Sequence, residues 1–74
     1  MENIKNIKFI TEDDQEYVII LDKVINDEQF GYAVNLHDES DAMCVRLVKD
    51  DEGYFFDYVE DQNIIKEIMD LKRS

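Results

Sequence analysis

One histidine, one cysteine and nineteen carboxylates are the first side chains of this 74-residue chain to weigh for acid–base or nucleophilic chemistry. His37 stands beside Asp38. An imidazole changes charge near neutral pH, which suits a general base. A base also needs a nucleophile or an acid within hydrogen-bond reach, and the sequence marks none. An exposed loop histidine is the expected role. Cys44 would attack only as a thiolate, which requires positive charge nearby. Arg46, two residues on along the same strand face, could supply it, while the surrounding acids act the other way. Cys44 is therefore read as a half-buried structural residue.

Thirteen of the nineteen carboxylates fall in five short clusters. These are Glu12, Asp13 and Asp14; Asp27 and Glu28; Asp38, Glu39 and Asp41; Asp50, Asp51 and Glu52; and Glu60 and Asp61. Hard divalent cations take oxygen ligands, but the run ending in Gly53 lacks the alternating acids and distant glutamate of an EF-hand loop. Paired carboxylates can cleave glycosides across a cleft, and a chain this short has little material for one. Gly31 and Gly53 stand alone, so there is no glycine-rich phosphate loop. The expectation is no catalytic residue, no metal, no cofactor and no enzyme activity.

Nineteen acids against eight bases give a formal charge of −11. That charge repels phosphate backbones and anionic lipid and favours basic partners. Direct nucleic-acid binding needs a basic footprint and is not expected. The longest apolar run, residues 17–21, is far too short for a bilayer. One cysteine, which allows no internal disulfide, and no signal peptide fit a reducing cytoplasm.

The elements that must position these side chains follow from periodicity. One small domain, residues 1–74, is expected, with a marginal core. Residues 1–6 read as a frayed start and residues 4–10 as a first strand. Residues 11–15 form an acidic turn. Residues 16–26 carry the strongest strand signal, because β-branched side chains fit a pleated surface. There Tyr17, Ile19 and Leu21 would share one face, opposite Val18 and Ile20. A turn at residues 27–29 leads to a strand at 30–36 that alternates Phe30, Tyr32, Val34 and Leu36. Gly31 inside it signals a bulge or a close neighbour. Residues 37–41 read as a polar loop. Met43, Val45 and Leu47 then alternate with Cys44, Arg46 and Val48. Asp50 to Gly53 make a hairpin turn, with Gly53 free to take positive φ, and residues 54–59 are a fifth strand. Ile64, Ile65, Ile68, Met69 and Leu71 fall at helical spacing, with Asp61 as N-cap.

Short connections favour antiparallel neighbours. The expected fold is α+β: an antiparallel meander of about five strands followed by one C-terminal helix. The Glu12, Asp38 and Glu60 clusters would share one end of the meander, and the Asp27 and Asp50 clusters the other. Several strands are apolar on both faces, and one helix covers only one. Either the sheet curls into a half-barrel, or its second face meets a partner or a second copy in a homodimer.

Taken as a whole, residues 9–71 resemble the YrzB-like family of small, acidic, uncharacterised bacterial proteins. The resemblance rests on the order and spacing of weak motifs. These are residues 9–13, Glu16 and Tyr17 leading to residues 21–24, residues 32–34, the acidic loop 38–41, residues 45–48, the turn 50–53, and Val59, Glu60 and Asp61 before a closing helix. It implies a small bacterial strand-then-helix protein with no assigned activity and no catalytic residues to carry over.

The function expected is non-enzymatic protein–protein interaction. The candidate contacts are an acidic rim (Asp13, Asp14, Asp38, Glu39 and Asp41) and an aromatic strand (Tyr54, Phe56 and Tyr58). The aromatic run lacks the basic flanks of a base-stacking surface, so core packing and protein binding are its expected roles. The alternative is a phage-type nucleic-acid mimic, whose carboxylates occupy the basic groove of a DNA-binding protein or nuclease.

Overall fold

A computed structural model describes residues 3–73. Strands β1 (Lys8–Ile10), β2 (Glu16–Ile25), β3 (Glu28–Asn35), β4 (Asp38–Asp50) and β5 (Gly53–Tyr58) precede helix α1 (Gln62–Arg73). The strands form one sheet in chain order, each antiparallel to the next. This is the α+β meander-plus-helix that the periodicity predicts.

Turn chemistry sets the register. Asn26 and Asp27 both adopt positive φ, 52° and 66°, and connect β2 to β3 as a two-residue turn. That backbone matches the twist of flanking strands, and Asn and Asp tolerate it best after glycine. The turn thus lies one residue earlier than expected, and β3 begins at Glu28. At the β4–β5 turn, Asp50 Oδ1 accepts from the Glu52 N–H at 2.9 Å, and Gly53 takes φ 140°. Residues 37–41 are not simply a loop, since β4 already starts at Asp38 opposite Asn35. Pairing then skips to Val34 with Ala42, so Glu39, Ser40 and Asp41 bulge out.

A second irregularity decides which side chains share a face. Ile19 pairs with Ala33, but Leu21 pairs with Tyr32, leaving Ile20 as the extra residue of a bulge. The bulge reverses the alternation. Tyr17 and Ile19 stay on one face, while Leu21 and Ile25 turn to the other. The expected grouping of Leu21 with Tyr17 and Ile19 fails for this reason.

The faces are closed separately. On one, Ile64, Ile65, Ile68 and Met69 of α1 pack with Phe30, Tyr32, Cys44 and Val59. Asp61 caps the helix as expected, its Oδ1 accepting from the Asn63 N–H at 2.9 Å. Lys72 lies over the Tyr32 ring, 5.2 Å from its centroid. On the other face Ile4, Tyr17, Ile19, Ala33 and Val45 form the core, flanked by Ile7, Phe9, Met43, Leu47 and Phe56.

Ile4, expected where a frayed start meets a first strand at residues 4–10, instead precedes β1, which begins at Lys8, and is only 1% exposed. The Asn6 N–H donates to Ile19 O at 2.7 Å and the Ile19 N–H donates to Ile7 O at 3.0 Å, so the segment is tied to β2 beside its bulge. Residues 1 and 2 of that expected frayed start lie outside the described residues. Gly31 makes room for this packing. A Cβ there would lie 2.9 Å from Ile19 Cγ2 and 3.3 Å from Ile4 Cδ1. The glycine therefore marks a close neighbour, and the bulge sits on the adjoining strand.

The sheet curls. Phe9 on β1 and Phe56 on β5, the two ends of the strand order, meet with ring centroids 5.0 Å apart. Phe9 also stacks on Tyr17 at 5.7 Å. Of the two outcomes expected for the second apolar face, the chain adopts the curl.

Candidate functional site

The side chains with chemical capacity do not converge. His37 lies in the exposed β3–β4 turn, its Nε2 4.0 Å from Glu16 Oε1. Cys44 is buried beneath α1, and burial pushes its thiol pKa up. A raised pKa keeps the thiol protonated and unreactive at neutral pH. Among the described residues, no group of three or more His, Cys, Asp or Glu side chains is placed to hold a metal ion. No described helix is long and apolar enough to cross a membrane.

The carboxylates divide by role. Asp41, in the β4 bulge, accepts from Tyr17 Oη at 2.6 Å and from Asn35 Nδ2 at 3.1 Å. Asn35 Nδ2 also reaches Gln15 Oε1 at 3.1 Å, and Asn35 Oδ1 accepts from the His37 N–H at 2.8 Å. The network pins the β1–β2 and β3–β4 turns together. Both hydrogen bonds lower the Asp41 pKa, that from Tyr17 most, and the same bond raises the pKa of Tyr17. Asp41 is thus a structural acceptor. Asp38 caps its own turn, its Oδ1 accepting from the Ser40 N–H and hydroxyl at 3.1 and 2.6 Å. Asp14, Asp38 and Glu39 are exposed at this end of the sheet.

Glu60 and Asp61 depart from the expected end. β5 stops at Tyr58, opposite Val45 in mid-β4. The chain leaves the sheet there, and Glu60 and Asp61 line a hollow of about 370 Å³ together with Asn26 and Glu28. Arg46 in that hollow pairs with both Glu28 and Asp57 at 3.4 Å.

A groove of about 760 Å³ lies between β1 and β5. Residues 7–13 form one wall; Tyr54, Phe55, Phe56 and Tyr58 form the other, with Met43 and Val45 beneath. Four large apolar side chains around it are open to solvent: Ile10 at 67%, Tyr54 at 56%, Phe55 at 50% and Tyr58 at 60% exposed. Of the residues expected to make contacts, Asp13, Tyr54, Phe56 and Tyr58 come together here. Asp14, Asp38, Glu39 and Asp41 do not line the groove. Phe9, Ile10 and Phe55 complete it, though none is among the expected contacts. Their sequence signals are the apolar strand pattern of residues 7–10 and the aromatic run of residues 54–58.

No family model matches the chain, and no curated protein and no solved structure matches it.

Proposed function

We propose that this chain is a non-enzymatic protein–protein interaction module that docks a partner at the groove between β1 and β5. The observation that carries this reading is the concentration of exposed apolar side chains on the two edge strands, around one concavity. Scattered surface apolar residues are ordinary, but a contiguous patch on open strand edges is an association site. Aromatic residues supply much of the binding energy at protein interfaces. The long-range field of a chain with a charge of −11 selects a basic partner. Kinship with the small bacterial proteins of the YrzB-like family and a cytoplasmic setting belong to the same proposal.

Affinity capture from the native host, with the parent chain and with a Tyr54→Ser, Tyr58→Ser double variant, tests it. A partner retained by the parent and lost by the variant is expected; equal retention by both removes the groove as the docking site.

The mimic reading draws on a different observation: the turns place Asp13, Asp14, Asp38 and Glu39, all exposed, at one end of the sheet. It expects steep loss of binding to a basic nuclease or DNA-binding protein with added salt. Flat affinity from low to high salt would end it.

A further inference from the structure

Resting on that docking reading, we propose that the groove's occupant is an extended segment of a partner protein with basic residues at its N-terminal end, added as a sixth strand between β5 and β1. Strand direction leaves a place for it. Each neighbouring pair in the meander is antiparallel, so β1, β3 and β5 all run the same way. One further strand, antiparallel to both β5 and β1, would continue the alternation and close the curled sheet into a six-stranded up-and-down barrel. Closure is the arrangement that removes sheet edges altogether. The described residues do not supply that strand, because after Tyr58 the chain leaves the sheet for α1.

The lining shows that the groove follows the strand edges and not just one sheet face. Successive side chains along a strand point to opposite faces. Yet Tyr54, Phe55 and Phe56, like residues 7–13, all border the same groove. A concavity touched by consecutive residues on both walls runs along the backbone. β1 and β5 are the ends of the strand order, so their outward N–H and C=O groups have no ladder partner among the described residues of the sheet. β5 offers six residues, enough for a short added strand. Peptides bind open sheet edges in this way, with backbone hydrogen bonds for affinity and alternate side chains for specificity.

Charge in the groove's own lining sets the polarity, since the acids of the β4–β5 turn, Asp50, Asp51 and Glu52, are exposed and do not line it. Along β1, Lys8 lines the groove near the start of the strand, and Glu12 and Asp13 line it just past the end. A strand running antiparallel to β1 brings its N-terminal end to Glu12 and Asp13 and its C-terminal end to Lys8. Basic residues therefore belong before the apolar run and not after it. A second copy of this chain is the poorer occupant, since two chains of charge −11 repel.

The test uses a displayed library of random twelve-residue peptides selected against the folded chain at low salt. Enriched peptides are expected to alternate apolar and polar residues over about six positions, with Lys or Arg ahead of that run. Binding should protect the amides of β1 and β5 from hydrogen exchange. It should weaken about tenfold or more when proline enters the run or when the basic residues are moved to the C-terminal end. Absence of enrichment, enrichment of helix-period peptides, or equal binding by the charge-reversed peptide overturns strand addition. So does a free chain that sediments as a dimer with its edge amides already protected. The Tyr54→Ser, Tyr58→Ser chain separates this failure from that of the docking reading. Non-alternating peptides that lose binding to it leave the docking surface standing, whereas peptides indifferent to it overturn both.

Discussion

The face of the sheet carrying Phe30, Tyr32 and Cys44 is sealed by α1, whereas the face carrying Tyr17, Ile19 and Val45 is closed by curl and by the segment around Ile4. A helix is a lid of fixed width, with an apolar stripe that covers one patch and leaves a continuous polar outer surface. A curl is an incomplete closure. It brings Phe9 to Phe56 but leaves the backbone edges of β1 and β5 without a ladder between them. The second mode of burial leaves the groove and its exposed aromatics as a by-product, and the first leaves nothing comparable. The candidate site therefore sits where the core is least finished.

The comparison can be broken at its centre. Ile68 under α1 and Ile4 beneath the curl are each 1% exposed. Truncating either to alanine removes buried methyl groups and leaves a cavity, costing about 2–5 kcal/mol. In a domain this small that is a large part of the total stability. Urea unfolding should show comparable losses for Ile68→Ala and Ile4→Ala. A silent Ile4→Ala would mean that the N-terminal segment does not close its face.

Gly31→Ala tests the close approach across the curl. Its added methyl would meet Ile19 Cγ2, near the backbone, at 2.9 Å. Overpacking of this kind costs about 1–3 kcal/mol. A midpoint equal to that of the parent would mean that Ile19 and Ile4 shift freely.

The Tyr17–Asp41 hydrogen bond gives the curled face a pH dependence of its own. It needs Asp41 ionised and Tyr17 protonated. The Asp41 pKa is lowered in the fold, so its contribution is full above the ordinary carboxylate range and is lost as pH falls through the depressed value. The Tyr17 pKa is raised, so its contribution is full below about pH 10 and is lost as pH climbs through the raised value. Tyr17→Phe should therefore be less stable than the parent at neutral pH, and the two should converge at both extremes. A pH-independent difference in urea midpoint would show that the bond contributes through packing alone.

The smallest effect is expected at the groove. Tyr54→Ser and Tyr58→Ser remove side chains that are mostly solvated, so each should stay within about 0.5 kcal/mol of the parent. A larger loss would make these rings part of the core and blunt the contrast between a finished and an unfinished face.

Much of this arrangement was legible in the chain. The alternation of Met43, Val45 and Leu47 with Cys44 assigned β4's two faces correctly, because strand periodicity is strict where pairing is regular. Asp61 before an apolar helical stripe located the start of α1, and Gly53 after three acids located a hairpin, because caps and turns are local chemistry. The bulge at Ile20 was not legible. A residue inserted against a neighbouring strand leaves no local mark, and it reversed the face of Leu21. Ile4 was misread because nothing nearby in sequence requires its burial; its partners, Ile19 and Gly31, lie far along the chain. Of the expected contact residues, the aromatics line the groove, whereas Asp41 is held in a hydrogen bond with Tyr17 that only a folded turn can make.

The amino-acid sequence by itself determined the strand-and-helix order, the antiparallel connections and the acidic surface, since period, turn residues and charge act over a few positions. Tertiary structure alone decided which face α1 covers, how far the sheet curls and where Glu60 and Asp61 leave it. Those outcomes depend on contacts between residues tens of positions apart, as between Phe9 and Phe56, whose rings meet across the curl.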